Sequence, residues 1–189
     1  MNKPVHILGI AGSLRLESYN RGALQAATKL VAEGPTLDVF ELDGVPGFNQ
    51  GDEQNPPEKV VELKRRVREA DAILFVTPEY NYSVSGGLKN AIDWASRPYG
   101  ESVWNRKSAA IMGASIGAIG TARAQYHLRQ IFVFLNMFPV NQPEVMIANA
   151  ASRFDTEGNL TDETTKEYIR KLLQALVEWT ARIQMLQPG

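Results

Sequence analysis

A chain of 189 residues with 20 basic and 21 acidic side chains, net charge −1, gives no electrostatic reason to expect nucleic acid as a partner. The absence of cysteine excludes disulfides, thiolate catalysis and redox-active thiols. The length suits one domain, residues 1–189, that buries roughly 70% of the unfolded chain's surface.

In chain order, the first apolar run is Val5 to Ile10, a strand candidate that stops in "AGSLRLESYN". The N-terminus carries one lysine and lacks the length and flanks of a signal peptide or a spanning segment, so a cytoplasmic protein is expected. Ala23, Ala27, Leu30 and Val31 then stripe a first helix, which "EGPT" ends. A second strand is expected over Thr36 to Leu42, and a second helix along Val60, Leu63, Val67 and Ala70. The third strand is Ala72 to Val76; a third helix follows "SVSGG" with Leu88, Ile92 and Ala95. Ser108 to Met112 reads as the fourth strand, and about Ile119 to Leu135 as the fourth helix. Val140 to Ile147 reads as a fifth strand, where Pro143 argues for an edge. The last helix opens at Thr161, with Asp162 and Glu163 in its first turn, and buries Ile169, Leu172, Leu173, Leu176 and Ile183. Strand–helix alternation five times over predicts an α/β fold with a parallel sheet covered on both faces.

In such a sheet ligands lie at the carboxyl ends of strands, so the loops after strands one, three and four are the ones to read. In the first, Gly12 allows close approach of backbone. Ser13, Ser18 and Asn20 offer hydrogen bonds, and Arg15 offers a planar fork to a phosphate at a helix N-terminus. The spacing is not that of a Walker A loop, since no lysine stands between Lys3 and Lys29. It is not a dinucleotide fingerprint either: Ala11 and Leu14 occupy positions that need glycine. A polar turn with ordinary helix capping is the alternative reading.

The second loop begins "TPEYNYSVSGG". Pro78 stiffens the strand exit, Tyr80 and Tyr82 offer rigid surface to a ring, and the amides of Glu79 to Asn81 can meet its polar edge. Glu79 reads either as a general base or, preferably, as a structural carboxylate paired with an arginine. Trp94 reads as core or subunit contact. The third loop, "GASIGAIGTARAQ", is a backbone wall against a flat ligand or a tight turn, with Arg123 beside the site or an interface. His6 and His127 have no partners at metal-binding spacing, and no G-x-S-x-G elbow is present.

Taken together, "GSLRLESYN" (12–20), "TPEYNYSVSGGLKNAIDWASRP" (77–98), "GASIGAIGTARAQYHLRQ" (113–130), "QPEVMIANA" (142–150) and "FDTEGNLTDE" (154–163) resemble the NAD(P)H-dependent FMN reductase family. That family includes flavodoxin-like quinone, chromate and azo-dye reductases. The resemblance implies a flavodoxin-like sheet of five parallel strands in the order 2-1-3-4-5. It implies that Ser13, Arg15, Ser18 and Asn20 hold the phosphate of bound FMN. Pro78, Glu79, Tyr80 and Asn81 would border the isoalloxazine, largely through backbone, and Ser115 with its glycine neighbours, Gly117 among them, would finish the pocket. Tyr82 stands where relatives often have histidine, which should alter the pocket rim. The implied reaction is ping-pong transfer of two electrons, from NADPH or NADH through the flavin to a quinone, azo compound, chromate or free flavin. It needs no catalytic side chain. A homodimer or homotetramer is implied, with contacts near Tyr80–Trp94 and on the fourth helix. The rival readings are an FMN-binding electron carrier or redox sensor, disfavoured by the near-zero net charge, and a dehydrogenase using NAD(P) directly.

Overall fold

The computed structural model of the chain describes residues 3–186. Strand β1 (His6–Ala11), helix α1 (Tyr19–Leu30), β2 (Thr36–Phe40), α2 (Glu58–Glu69) and β3 (Ala72–Val76) come first. A small hairpin follows, β4 (Glu79–Tyr80) and β5 (Ser83–Val84), leading into α3 (Gly86–Ala95). Then come β6 (Ser108–Ala114), α4 (Ala122–Leu135), β7 (Phe138–Pro139), β8 (Val145–Ile147) and the long α5 (Glu163–Met185).

The main sheet is parallel, in the order β2-β1-β3-β6-β7, with β8 also pairing β6. In the inner strands alternate side chains serve opposite faces. Ile7, Leu74, Val76 and Met112 pack with Leu24 and Ala27 of α1 and with Ile169, Leu172 and Leu176 of α5. Leu8, Ile73, Phe75 and Ile111 pack with α2, α3 and α4 through Leu63, Leu88 and Phe132. This double burial is why β3 is an unbroken apolar run, and β3 has the limits the sequence predicts. Among the described residues, no helix is long and apolar enough to cross a membrane.

Five expectations shift. The last helix starts at Glu163 rather than Thr161, with Asp162 as its N-cap. The fifth strand is not continuous over 140–147: β7 pairs Ser108 and Ala109, β8 pairs Met112 to Ala114, and the chain between leaves the ladder. Pro143 has no N–H to give a strand neighbour. The second strand ends at Phe40 rather than Leu42. Helix α4 starts at Ala122 rather than near Ile119, because Gly120 sits at φ +62, outside helical space. The fourth strand runs on to Ala114, which carries it past the end of β3 and toward the site.

Candidate functional site

The loops after β1, β3 and β6 leave neighbouring strand ends, on the side of the sheet where its order reverses between β1 and β3. They are fastened to one another. The Gly12 amide donates to the Val76 carbonyl at 2.8 Å, and the Thr77 amide to the Met112 carbonyl at 2.9 Å. Ser85, which N-caps α3, donates its hydroxyl to the Gly12 carbonyl at 2.6 Å. A Cβ on Gly12 would lie 2.8 Å from that hydroxyl oxygen, and one on Gly113 would lie 2.2 Å from the Thr77 carbonyl oxygen. Both glycines are therefore requirements of close approach.

In the first loop Ser13 and Ser18 are buried, and Arg15 is exposed. Ser13 Oγ accepts from the Arg15 amide at 3.4 Å; the Arg15 guanidinium donates to the Glu17 carbonyl at 2.7 Å. Ser18 N-caps α1, its oxygen accepting from the Asn20 amide at 3.2 Å. The Asn20 side chain is paired with the backbone of Ala114, donating to its carbonyl at 2.9 Å and accepting from its amide at 2.8 Å.

In the second loop Pro78 is buried and Glu79 is 11% exposed at its side chain. Glu79 belongs to the hairpin but caps another element. Thr121 supplies no side-chain bond at the start of α4. Glu79 Oε2 accepts instead from the amides of Arg123 (3.0 Å) and Ala124 (3.2 Å), and Oε1 from the Arg123 guanidinium (3.2 Å). The same guanidinium lies 4.0 Å from the centre of the Tyr82 ring. Glu79 is thus a structural carboxylate paired with an arginine of its own chain. Asn81 (φ 50) and Tyr82 (φ 66) form a two-residue turn with both φ positive, leaving Tyr80 and Tyr82 exposed at the tip. Ser83 Oγ lies 2.9 Å from His127 Nδ1 of α4, a second pin on the hairpin.

In the third loop Ser115 is half-buried and its Oγ accepts from the exposed Gly117's amide at 3.1 Å, while the Ser115 amide donates to the Ile147 carbonyl at 3.0 Å. Ile116 and Ile119 project into solvent. Trp94, by contrast, is core: it is 1% exposed and donates its indole N–H to the Pro46 carbonyl at 2.8 Å. His6 sits at the other end of the sheet, 3.1 Å from the Asp38 carboxylate.

The structure therefore draws Ser13, Arg15, Ser18, Pro78 to Asn81, Ser115 and Gly117 to one end of the sheet, and turns the Asn20 side chain toward β6. Arg123, which the sequence places beside the site or an interface, is the arginine that pairs Glu79; Ser85 and His127 join the site's framework without a local sequence signal, since their partners lie 73 and 44 residues away. A cavity of about 610 Å³ runs beside α1 and touches the first loop through Leu16, Glu17 and Ser18. At the hairpin and third loop the surface is open.

The sequence profile of the NADPH-dependent FMN reductase family matches residues 5–152. The chain is similar to an NAD(P)H-dependent FMN reductase of Pseudomonas aeruginosa, with 50% identity over 185 residues, 97% of this chain and 100% of that one. It is similar to a 2-hydroxy-1,4-benzoquinone reductase of a Burkholderia species, with 42% identity over 170 residues, covering 90% and 93%. Among solved structures it is similar to the flavoenzyme NAD(P)H:(acceptor) oxidoreductase of Paracoccus denitrificans, with TM-score 0.84 and 37% identity, covering 94% and 98%.

Proposed function

Because the chain belongs to the NADPH-dependent FMN reductase family, we propose that its three fastened loops are the FMN site and that quinones are the acceptors it reduces. The chain is an NAD(P)H-dependent oxidoreductase with FMN as its cofactor. The residues present suit that group. Two buried serine hydroxyls, an exposed guanidinium and the first turn of α1 make a donor set for a phosphate, and Gly12 keeps the floor of the loop low.

When bound, FMN would supply the two-electron redox chemistry between nicotinamide and acceptor. The protein's part is to bind and orient. Ser13, Arg15 and Ser18 hold the phosphate; the backbone of Pro78 to Asn81 borders the ring; Ser115 and Gly117 close its other side. The Glu79 carboxylate, spent on the start of α4, is not a free base. The open surface beside Tyr80 and Tyr82 suits two planar substrates that must visit in turn. The observation that carries this reading is the tying of three strand-end loops into one surface at the N-terminus of α1.

The visible spectrum of the purified protein tests it first, followed by identification of the released cofactor and by NAD(P)H consumption with 1,4-benzoquinone. Yellow protein releasing FMN, with steady turnover, is expected. Colourless protein that takes up no FMN overturns the reading, and FMN-loaded protein without turnover converts it to an electron carrier.

We extend the proposal in three ways. The whole chain, 1–189, acts as one FMN-binding domain, because α5 lies beyond the family match yet buries Ile169, Leu172 and Leu176 in the core beneath α1. Copies of the chain associate through the outward face of α4, where Tyr126, Val133 and Phe134 are 50, 81 and 74% exposed. A cytoplasmic setting suits a cysteine-free enzyme that draws on NAD(P)H.

A further inference from the structure

Asn20 is the second residue of α1 and only 3% exposed. Its Nδ2 donates to the Ala114 carbonyl at 2.9 Å, and its Oδ1 accepts from the Ala114 amide at 2.8 Å. These partners fix which way the amide points, since a flip would set donor against donor and acceptor against acceptor. The need for it follows from strand lengths. β3 pairs β6 only as far as Val76 opposite Met112, with Thr77 giving its amide to the Met112 carbonyl. β6 continues two residues further, so Ala114 has a strand neighbour in β8 but none in β3. A side-chain amide from the first turn of α1 supplies the missing pair. Ala114 is also the last residue before the Ser115–Gly117 wall, and Asn20 follows directly on the 12–19 loop.

We propose that Asn20 is a positioning residue that couples the phosphate loop to the ring-side loop, and not a ligand of the phosphate. The proposal rests on the FMN reading above for what the two loops hold. The tie itself is a property of the protein without cofactor.

The experiment separates the two. Asn20→Ala is prepared as apoprotein and its thermal unfolding compared with wild type and with Arg15→Ala; FMN affinity and the visible spectrum of the loaded forms are then recorded. Two buried backbone groups lose their partner, so apo Asn20→Ala is expected to unfold ~4 °C or more below wild type, while apo Arg15→Ala does not. FMN affinity falls at least ~10-fold, and the absorption band of the loaded variant moves although the substitution is remote from the ring. Asn20→Asp adds a proton-dependent rescue. A protonated carboxyl has one donor and one acceptor, as the amide has; an ionised one faces the Ala114 carbonyl with acceptors only. The apo Asn20→Asp deficit should therefore narrow as pH falls from 7 toward 4.5. This variant also serves if Asn20→Ala does not fold.

An apo Asn20→Ala as stable as wild type, with FMN affinity lost as in Arg15→Ala, would make Asn20 a phosphate ligand and overturn the proposal. A destabilised variant whose loaded form keeps the wild-type spectrum and the wild-type KM for quinone would leave it a structural residue and overturn the coupling. Wild-type protein that binds no FMN overturns the FMN reading, and with it the coupling; the apo comparison then still shows whether Asn20 ties the loops.

Discussion

At the scale of single residues, the site divides side chains that face a ligand from side chains that hold the frame. Arg15 is proposed to be of the first kind. It is exposed, and its guanidinium donates to the Glu17 carbonyl in the same loop as Ser13 and Ser18. A charge-assisted bond to phosphate is worth about 1.5–3 kcal/mol. Arg15→Ala should raise the Kd for FMN about 10- to 100-fold in a fluorescence titration. The rate of flavin reduction by NADPH in the fraction still loaded should stay unchanged, and an equal fall in that rate would remove Arg15 from the phosphate. Glu79 is of the second kind. Its carboxylate takes the place of an N-cap for α4, and caps are worth about 1 kcal/mol, up to 2. Glu79→Ala should lower the unfolding free energy by about that much in urea denaturation. Glu79→Gln, which keeps an acceptor oxygen for the Arg123 and Ala124 amides, should recover most of it. If Gln and Ala lose the same, the ion pair with Arg123 matters and the cap does not.

At the scale of elements, α5 shows how a helix start registers in both sequence and titration. Asp162 N-caps it, accepting from the Thr165 hydroxyl at 2.5 Å and the Thr165 amide at 2.7 Å, with the Arg153 guanidinium at 2.8 Å. The Thr165 hydroxyl, then its amide, then Arg153 hold the Asp162 carboxyl below its ordinary range. A carboxyl held low in the folded state contributes stability above its unfolded value, near 3.9, and loses it as pH falls through the folded one. Asp162→Ala should therefore cost about 1 kcal/mol at neutral pH, and its gap in Tm from wild type should close as pH drops below about 4. A gap constant down to pH 3 would mean that the charge is not involved. This helix start was legible to within two residues, because Thr-Asp-Glu before an apolar stripe is a local signal, as the apolar run of β3 was for its strand; the sequence opens the helix at Thr161, and the structure opens it at Glu163 with Asp162 outside as the cap. The β4–β5 hairpin was not legible: four paired residues show no alternation, and its turn uses Asn81-Tyr82 where glycine would have announced it. The broken fifth strand was half legible, since Pro143 signalled an edge but not that β6 would be paired in two pieces. The reach of Asn20 to a backbone 94 residues away leaves no trace in any window of sequence.

At the scale of the whole molecule, the sheet explains where the site lies and the helices explain what remains uncovered. Because β1 is flanked by β2 on one side and β3 on the other, the sheet order reverses between β1 and β3, and the extension of β6 brings the third loop to the same end of the sheet. Helices α1, α2, α3 and α5 turn their apolar stripes to the sheet. Helix α4 does so with Ala124, Leu128 and Phe132, yet carries a second apolar set pointing away. Tyr126, Val133 and Phe134 lie along that outer side with Arg123 and the exposed Tyr82 at its upper end, next to the site. A charge of −1 over the chain provides little repulsion between copies, and an exposed aromatic and aliphatic face is costly in water unless covered. Phe134→Glu should therefore reduce the molar mass measured by light scattering to that of one chain while leaving far-UV circular dichroism intact, since Phe134 is exposed and touches no core cluster. If the face also shapes the open ring surface, the monomeric variant should bind FMN less tightly than wild type. A wild type that is already monomeric would overturn the association, and a Phe134→Glu variant with the wild-type mass would move it away from α4.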